Sequence, residues 1–378
     1  MFWFRTGLEA CAAAALAAVV YHYVGYPALL WVVGLFVGRR RPAPDPAARP
    51  SLSVIIPCHN EAGSLPGKLE DLKAADYPAD RLEIIVVSDG SDDGTEEAAG
   101  RCDGVRVLAW PERRGKPAAL NAGAEAASGD ILVFTDANAR IPGDALAELV
   151  APFADAAVGA VCGEQVISRG AKSEGMYWRL ESLVKRLEAG VGSVVGADGS
   201  LYAVRRELYR PVPADRLIMD DFYVSLSVVA AGRRLAYAPR AVAHEEALDD
   251  GRREFRRKAR IMAGSLAALS ALPTSIWRRI PFQLYSHKVL RWLGPAFLVA
   301  AIFASAGAAA LGSTAGAALL AAQLLFYVCA VAGWVLGGGR APFVFRAPFF
   351  FVMANAALGA GWLEYFAGRN EAAWDKLR

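Results

Sequence analysis

The sequence predicts an α/β domain with a parallel sheet, carried between membrane helices at the two ends of the chain. Three observations predict it. Uncharged apolar stretches lie at both ends, short Ile- and Val-rich runs alternate with helical patterns through the middle, and each run ends in polar turn-forming residues. The 378 residues leave room for one domain of about two hundred residues beside several spans.

At the first end, the only titratable side chain between Glu9 and Arg39 besides tyrosine and cysteine is His22. About 29 residues are therefore free for a span that needs roughly 20. A cleavable signal peptide is the alternative, but the stretch is twice the usual apolar length, and Arg5 and Glu9 offset each other before it. Arg39, Arg40 and Arg41 follow, and the positive-inside tendency places them and the next segment in the cytoplasm, at the inner membrane. Residues 1–41 thus read as a transmembrane segment with a basic flank, and the proline-rich 42–50 as a linker.

At the other end no charged residue occurs between Arg291 and Arg340, and Gly312-Ser313-Thr314 divides this stretch into two lengths that can each span. A further apolar stretch runs from Ala347 to Leu363. About three spans are expected over 292–367, with a tail at 368–378 on the side opposite the domain. The 273–291 segment mixes Trp277 and Tyr285 with Arg278, Arg279, His287 and Lys288. It reads equally as an interfacial helix at the headgroup level or as an amphipathic helix packed on the domain.

The hydrophobic fraction of 55% exceeds that of a typical soluble domain, as membrane segments require. A net charge of +3, with basic and acidic residues interspersed, gives no sign of a nucleic-acid partner, and none is expected. Cys11, Cys58, Cys102, Cys162 and Cys329 form no CxxC pair and read as reduced structural thiols. His244-Glu245-Glu246 lacks the second histidine of a zinc-protease helix and reads as a solvated turn.

Within 51–272, Ser53–Pro57, Leu82–Ser88 and Asp130–Thr135 are apolar runs suited to strands buried on both faces. Helical patterns at Ser64–Ala75 and Lys116–Ala127 separate them, giving a β-α-β-α-β order. Ligands of such sheets sit beyond the carboxyl ends of the strands. Those ends carry Pro57-Cys58-His59-Asn60-Glu61, Ser88-Asp89-Gly90-Ser91-Asp92 and Thr135-Asp136-Ala137-Asn138. Any one cluster is accounted for by an Asx turn or a cap. Three at successive strand ends are not. Asp136 and Asn138, alternate residues leaving a strand, can turn oxygens toward one divalent cation, while Asp89 faces a nucleoside from the neighbouring strand. Such a cation would act as a Lewis acid on a leaving diphosphate.

Six blocks in order then resemble the family 2 glycosyltransferases of GT-A fold, in particular their membrane-bound processive branch of cellulose, hyaluronan and poly-N-acetylglucosamine synthase type. They are SVIIPCHNE, IIVVSDGSDDGT, RRGKPAALNAGAEAASGDILVFTDANA, VGADGSLYAVRRELY, MDDFYVSLSVVAAGRRLAYAP and EFRRKARIMAG. The resemblance implies an α/β GT-A (Rossmann-like) catalytic domain with N-terminal and C-terminal transmembrane α-helices, facing the cytoplasm. It implies that Pro57, Asn60, Glu61 and Asp89 line the nucleoside pocket, with Lys116 and Asn121 on the donor side. Asp136 and Asn138 would hold the metal diphosphate, as Mg2+ or Mn2+, and Asp221 falls where the family keeps its catalytic base. Gly196, Asp198 and Asp220 fall on the acceptor side. Arg260, at the arginine position of QxxRW, is either a diphosphate ligand or a solvated arginine of a basic helix.

Two departures bear on the activity. Asn138 replaces the second carboxylate of the usual DxD, which weakens the cation site. Arg257 and Ile261 replace the glutamine and tryptophan of QxxRW, which removes the ring associated with the acceptor and argues against long-chain polymerisation. The leading expectation is inverting transfer of a hexose or N-acetylhexosamine from a UDP-sugar to a growing polysaccharide. The alternative is one or a few transfers to a lipid acceptor, such as a polyprenyl phosphate or a glycolipid. A silent membrane subunit would have no need of Asp89, Asp136 and Asp221 together. The expected partners are the nucleotide-sugar donor, a glycan or lipid acceptor and membrane lipids, with any secretion partner open.

Overall fold

The computed structural model describes residues 1–37, 49–167, 172–246 and 251–368. The basic flank from Arg39 to Arg41, most of the 42–50 linker and the tail beyond Gly368 lie outside them.

Among the described residues seven strands form one sheet: β1 Leu52–Cys58, β2 Leu82–Asp89, β3 Val105–Trp110, β4 Ile131–Phe134, β5 Val158–Ile167, β6 Tyr202–Arg205 and β7 Arg234–Glu245. Their order across it is β3-β2-β1-β4-β6-β5-β7. β1 pairs parallel with β2 and β4, and β2 with β3, whereas β6 runs antiparallel between β4 and β5. β1 to β4 are the runs read from sequence, with the edge strand β3 added. Alternation splits each central strand between two cores. Val54 and Ile56 face the helices Leu65–Lys73 and Ala145–Val150, while Ile55 and Phe134 face the helices Lys116–Ala126 and Asp220–Ala230. Gly123 lets the Lys116–Ala126 helix lie close on β1, since a Cβ there would meet Ile55 Cγ2 at 2.4 Å.

The chain passes from β1 to β2 and β3 on one side, then returns to β4 on the other. The crevice beyond the carboxyl ends of β1 and β4 is the switch point where open α/β sheets bind ligands. His244 is a correction to the sequence reading. It lies in β7, one residue before its end, paired with Val166 of β5 on one side and bridged to Arg140 on the other.

Among the described residues three helices are long and apolar enough to cross a membrane: Phe2–Val37, Thr314–Val335 and Phe343–Phe366. The remaining apolar stretch is divided. Helices Pro281–Trp292 and Gly294–Ala310 are bent by 58° against each other and make a fourth span if counted together. Pro295, in the first turn after the bend, lacks the N–H that would continue the preceding helix. The same break draws the 281–291 residues into the fold, where His287 is buried against the helix Lys172–Val191.

Candidate active site

The clusters after β1 and β2 are tied into one scaffold. Asn60 takes a left-handed conformation, φ +55°, which Asn tolerates better than most residues. Its Oδ1 accepts from Asp92 N at 2.9 Å, and Glu61 N donates to Thr95 Oγ1 at 2.8 Å. Asp89 is fully buried, and both its oxygens are taken by backbone amides, Arg114 N at 2.6 Å and Gly115 N at 2.9 Å. Its carboxylate therefore holds the loop that delivers Lys116, the first residue of the Lys116–Ala126 helix. Pro57 and Glu61 line the cavity itself.

Lys116 is the centre of the charged cluster. Its Nζ donates to Asp136 Oδ1 at 2.9 Å and lies 3.5 Å from Asp220 Oδ2. Asp220 and Asp221 open the Asp220–Ala230 helix, where its dipole favours negative charge. Asp221 Oδ1 accepts from Phe222 N at 2.7 Å. Gly199 gives the group its open floor: a Cβ there would stand 3.5 Å from Asp221 Oδ2, 3.6 Å from Lys116 Nζ and 3.8 Å from Asp136 Oδ2. Gly196, φ +88°, lets its loop pass over Phe222, since a Cβ would meet that ring at 2.8 Å. Asp198 lines the cavity and is ion-paired with Lys185.

Burial, then the adjacent Asp220, pushes the Asp221 carboxyl above the usual carboxylate range, and Lys116 offsets only part of this. Burial raises Asp220 as well. For Lys116 burial acts downward, but Asp136 and then Asp220 outweigh it and hold the ammonium above its ordinary range. A step that needs ionised Asp221 should therefore accelerate with pH along a limb displaced above about 3.9, the ordinary aspartate value. Asp220→Asn should move that limb to lower pH. Initial rates from roughly pH 5 to 8 test this, and a flat profile in wild type would remove the raised carboxyl from the rate.

The sheet reaches this cluster from below through a residue the sequence did not reveal. Lys68 is fully buried and donates to Thr135 Oγ1 and to Ala139 O, each at 2.6 Å, so it fixes both ends of the Asp136–Asn138 turn. Burial lowers its pKa to about 7, with Asp136 partly opposing. In sequence Lys68 is an ordinary basic residue of an amphipathic helix, and nothing local marks it as buried. Asn121, by contrast, is not brought to the cluster. Its Oδ1 accepts from Tyr209 OH at 2.7 Å and Val212 N at 2.8 Å, and its Nδ2 donates to Val212 O at 2.8 Å, so its amide ties down the 209–212 loop.

Asp136 and Asn138 both line the cavity and present hard oxygens. Among the described residues no group of three or more His, Cys, Asp or Glu forms a closed metal centre. Asp220, buried with Lys116 Nζ 3.5 Å from its Oδ2, adds a further carboxylate beside Asp136 and Asn138. Such a donor set fits a divalent ion held by one or two protein ligands and completed by phosphate oxygens.

The cluster stands at one end of a continuous cavity of about 980 Å³. Its lining includes Arg257, Lys258, Arg260, Lys288 and Arg291 together with Glu181, Glu245 and Glu254. Glu254 pairs with Arg257 and Lys258, each at 2.8 Å. The far wall comes from the candidate spans: Val20 and Val24, Phe326, and Phe350, Met353 and Leu358.

Residues 53–210 match the family described as Glycosyl transferase family 2. The chain is 28% identical over 232 residues to a probable glycosyltransferase, YdaM, of Bacillus subtilis, covering 57% of this chain and 55% of that protein. It is 28% identical over 218 residues to an N-acetylglucosaminyltransferase of Mesorhizobium japonicum, covering 51% of each. The chain thus spans about half the length of these curated relatives. Among solved structures it resembles the mannosyltransferase PcManGT from Pyrobaculum calidifontis in complex with GDP-Man and Mn2+, with a TM-score of 0.73 and 28% identity. That match covers 96% of this chain and 100% of the other. The fold is GT-A. The likeness holds at the level of the family, since these relatives carry general glycosyltransferase or N-acetylglucosaminyltransferase names and none specifies the processive branch.

Proposed function

We infer that this chain, whose residues 53–210 match glycosyltransferase family 2, moves a sugar from a nucleotide-sugar donor to a hydroxyl borne by a membrane lipid. The observation that carries the acceptor is the continuity of one cavity from Lys116, Asp136 and Asp221 to an apolar wall built by candidate spans. Lipid hydrocarbon passes from the bilayer to such a wall without cost, whereas a hydrated polysaccharide would lose hydrogen bonds there.

In this reading Pro57 and Glu61 border the nucleoside, on a scaffold held by Asn60 and Asp89. Asp136 and Asn138 hold a divalent cation, Mg2+ or Mn2+, which when bound neutralises charge on the leaving diphosphate. Lys116 and Arg260 stand by for the same charge. Asp221 takes the acceptor proton as its oxygen displaces the nucleotide at C1, with inversion. PcManGT binds GDP-Man with Mn2+, which supports both the cation and the nucleotide-sugar donor and sets a guanine nucleotide beside the UDP expected from sequence. The positive-inside rule applied to Arg39, Arg40 and Arg41 puts the domain in the cytoplasm, on the inner membrane.

Membranes containing the full chain are incubated with Mn2+ and either GDP-[14C]mannose or UDP-N-acetyl[14C]glucosamine, and the product is partitioned and sized. Label should appear in the organic phase in small products. Label in a large water-soluble polymer would replace the lipid reading with polysaccharide synthesis.

A further inference from the structure

A second cluster of buried charges lies outside the site. Glu181, Lys185 and Glu188 are spaced four and three residues apart on the Lys172–Val191 helix, so they share one face, and all three are buried. Ions buried this way persist only when paired. Lys185 pairs with Asp198 on the acceptor-side loop. Glu188 Oε2 accepts from Val195 N at 3.1 Å, in the same loop. Its Oε1 turns the other way and accepts from Tyr26 OH at 2.6 Å and His287 Nδ1 at 2.9 Å.

Tyr26 belongs to the N-terminal span and His287 to the Pro281–Trp292 helix. His287 Nε2 reaches Glu181 Oε1 at 3.1 Å, and Glu181 also accepts from Lys288 at 3.0 Å and Arg291 at 3.1 Å. Ser286 joins the two membrane elements directly, its Oγ 3.0 Å from Tyr21 OH and its carbonyl 3.1 Å from His22 Nδ1. On the other side, Ala197 N donates to Ser225 Oγ, which donates to Asp221 O at 2.6 Å. The loop from Val194 to Ser200 is thus pinned between the membrane helices and the helix that carries Asp221.

We propose that Glu188 is a positioning residue, through which the N-terminal span and the Pro281–Trp292 helix hold the Val194–Ser200 loop in its transfer-competent place. The membrane helices then act on the reaction besides anchoring the domain. That the loop serves the acceptor rests on the function proposed above. The contact geometry does not. Removing the Tyr26 hydroxyl or the Glu188 charge loosens the loop while leaving the donor end, built on β1, β2 and β4, as it was.

The test uses the full chain in lipid nanodiscs, as wild type, Tyr26→Phe, Glu188→Gln and the control Gln323→Leu. Gln323 joins two other membrane helices through Ser305 Oγ at 3.0 Å, so its loss perturbs helix packing away from the loop. Hydrogen exchange over 192–200, binding of GDP and UDP, and transfer from the two labelled donors are measured. Tyr26→Phe and Glu188→Gln should speed exchange in that segment several-fold and slow transfer about ten-fold, with nucleotide affinity within two-fold of wild type and Gln323→Leu unaffected. Tyr26→Phe keeps the ring and its packing, which guards against a folding defect in Glu188→Gln. Unchanged exchange over 192–200, or a loosened loop with full transfer, would overturn the proposal, as would nucleotide affinity falling in step with rate. Wild type that transfers from neither donor would instead remove the proposed function and leave exchange to decide the linkage.

Discussion

Asp221→Asn is expected to lower sugar transfer by about 10²- to 10⁴-fold, the usual range for losing a positioned general base, while nucleotide binding stays as in wild type. The asparagine oxygen can still accept from Phe222 N, which Asp221 Oδ1 does at 2.7 Å, so the start of the Asp220–Ala230 helix keeps its geometry. What is lost is the capacity to take a proton. Burial and the adjacent Asp220 raise this carboxyl toward the working pH, which brings its proton affinity closer to that useful in a base. The size of the effect also reads the acceptor: a hydroxyl needs its proton removed, whereas a lipid phosphate brings its own ionised oxygen. Steady-state transfer and calorimetric nucleotide binding on the same preparation separate these. Turnover within a few-fold of wild type would take Asp221 out of the mechanism.

The parts that were legible in the sequence have a local physical signature. β1, β2 and β4 are buried on both faces, so they read as unbroken Ile and Val runs, and the groups beyond them are short polar residues that leave a strand. Asp136 and Asn138 were found that way, Lys116 and Asp221 through the family resemblance, and all four line one cavity. Asp89 and Asn121 carry another lesson. A buried carboxylate or amide must satisfy whatever donors surround it, and here those are the backbone amides of Arg114, Gly115 and Val212. Residue type announced a polar site, but the partner was set by loops far along the chain. The antiparallel β6, slotted between β4 and β5, was illegible for the same reason: four residues carry no record of their neighbours. Lys68 and Glu188 are the extreme case. Each sits in a helix whose pattern tolerates a charge anywhere, and only tertiary packing makes it buried and paired.

Asp136→Ala is expected to abolish the Mn2+ dependence of nucleotide binding and to lower transfer by about 100-fold or more. Loss of even an outer partner of a metal ligand costs about 10- to 100-fold in affinity, and Asp136 is the one carboxylate beside the Asn138 amide in this turn. Two effects add. A cation held as proposed would lose its charged protein oxygen, and Lys116 loses the acceptor it holds at 2.9 Å, leaving Asp220 at 3.5 Å as its ion-pair partner. The ammonium is then drawn toward Asp220, away from the place where Asp136 had held it. Asn138→Ala removes only a neutral ligand and leaves the Lys116 pair intact, so its effect should be the smaller of the two. Calorimetric titration of GDP and UDP with and without Mn2+, run beside the labelled-donor assay, measures both. Equal nucleotide affinity with Mn2+ in Asp136→Ala and wild type would place the cation elsewhere, while an Asn138→Ala defect as large as that of Asp136→Ala would show that the charge on Asp136 is not what the site depends on.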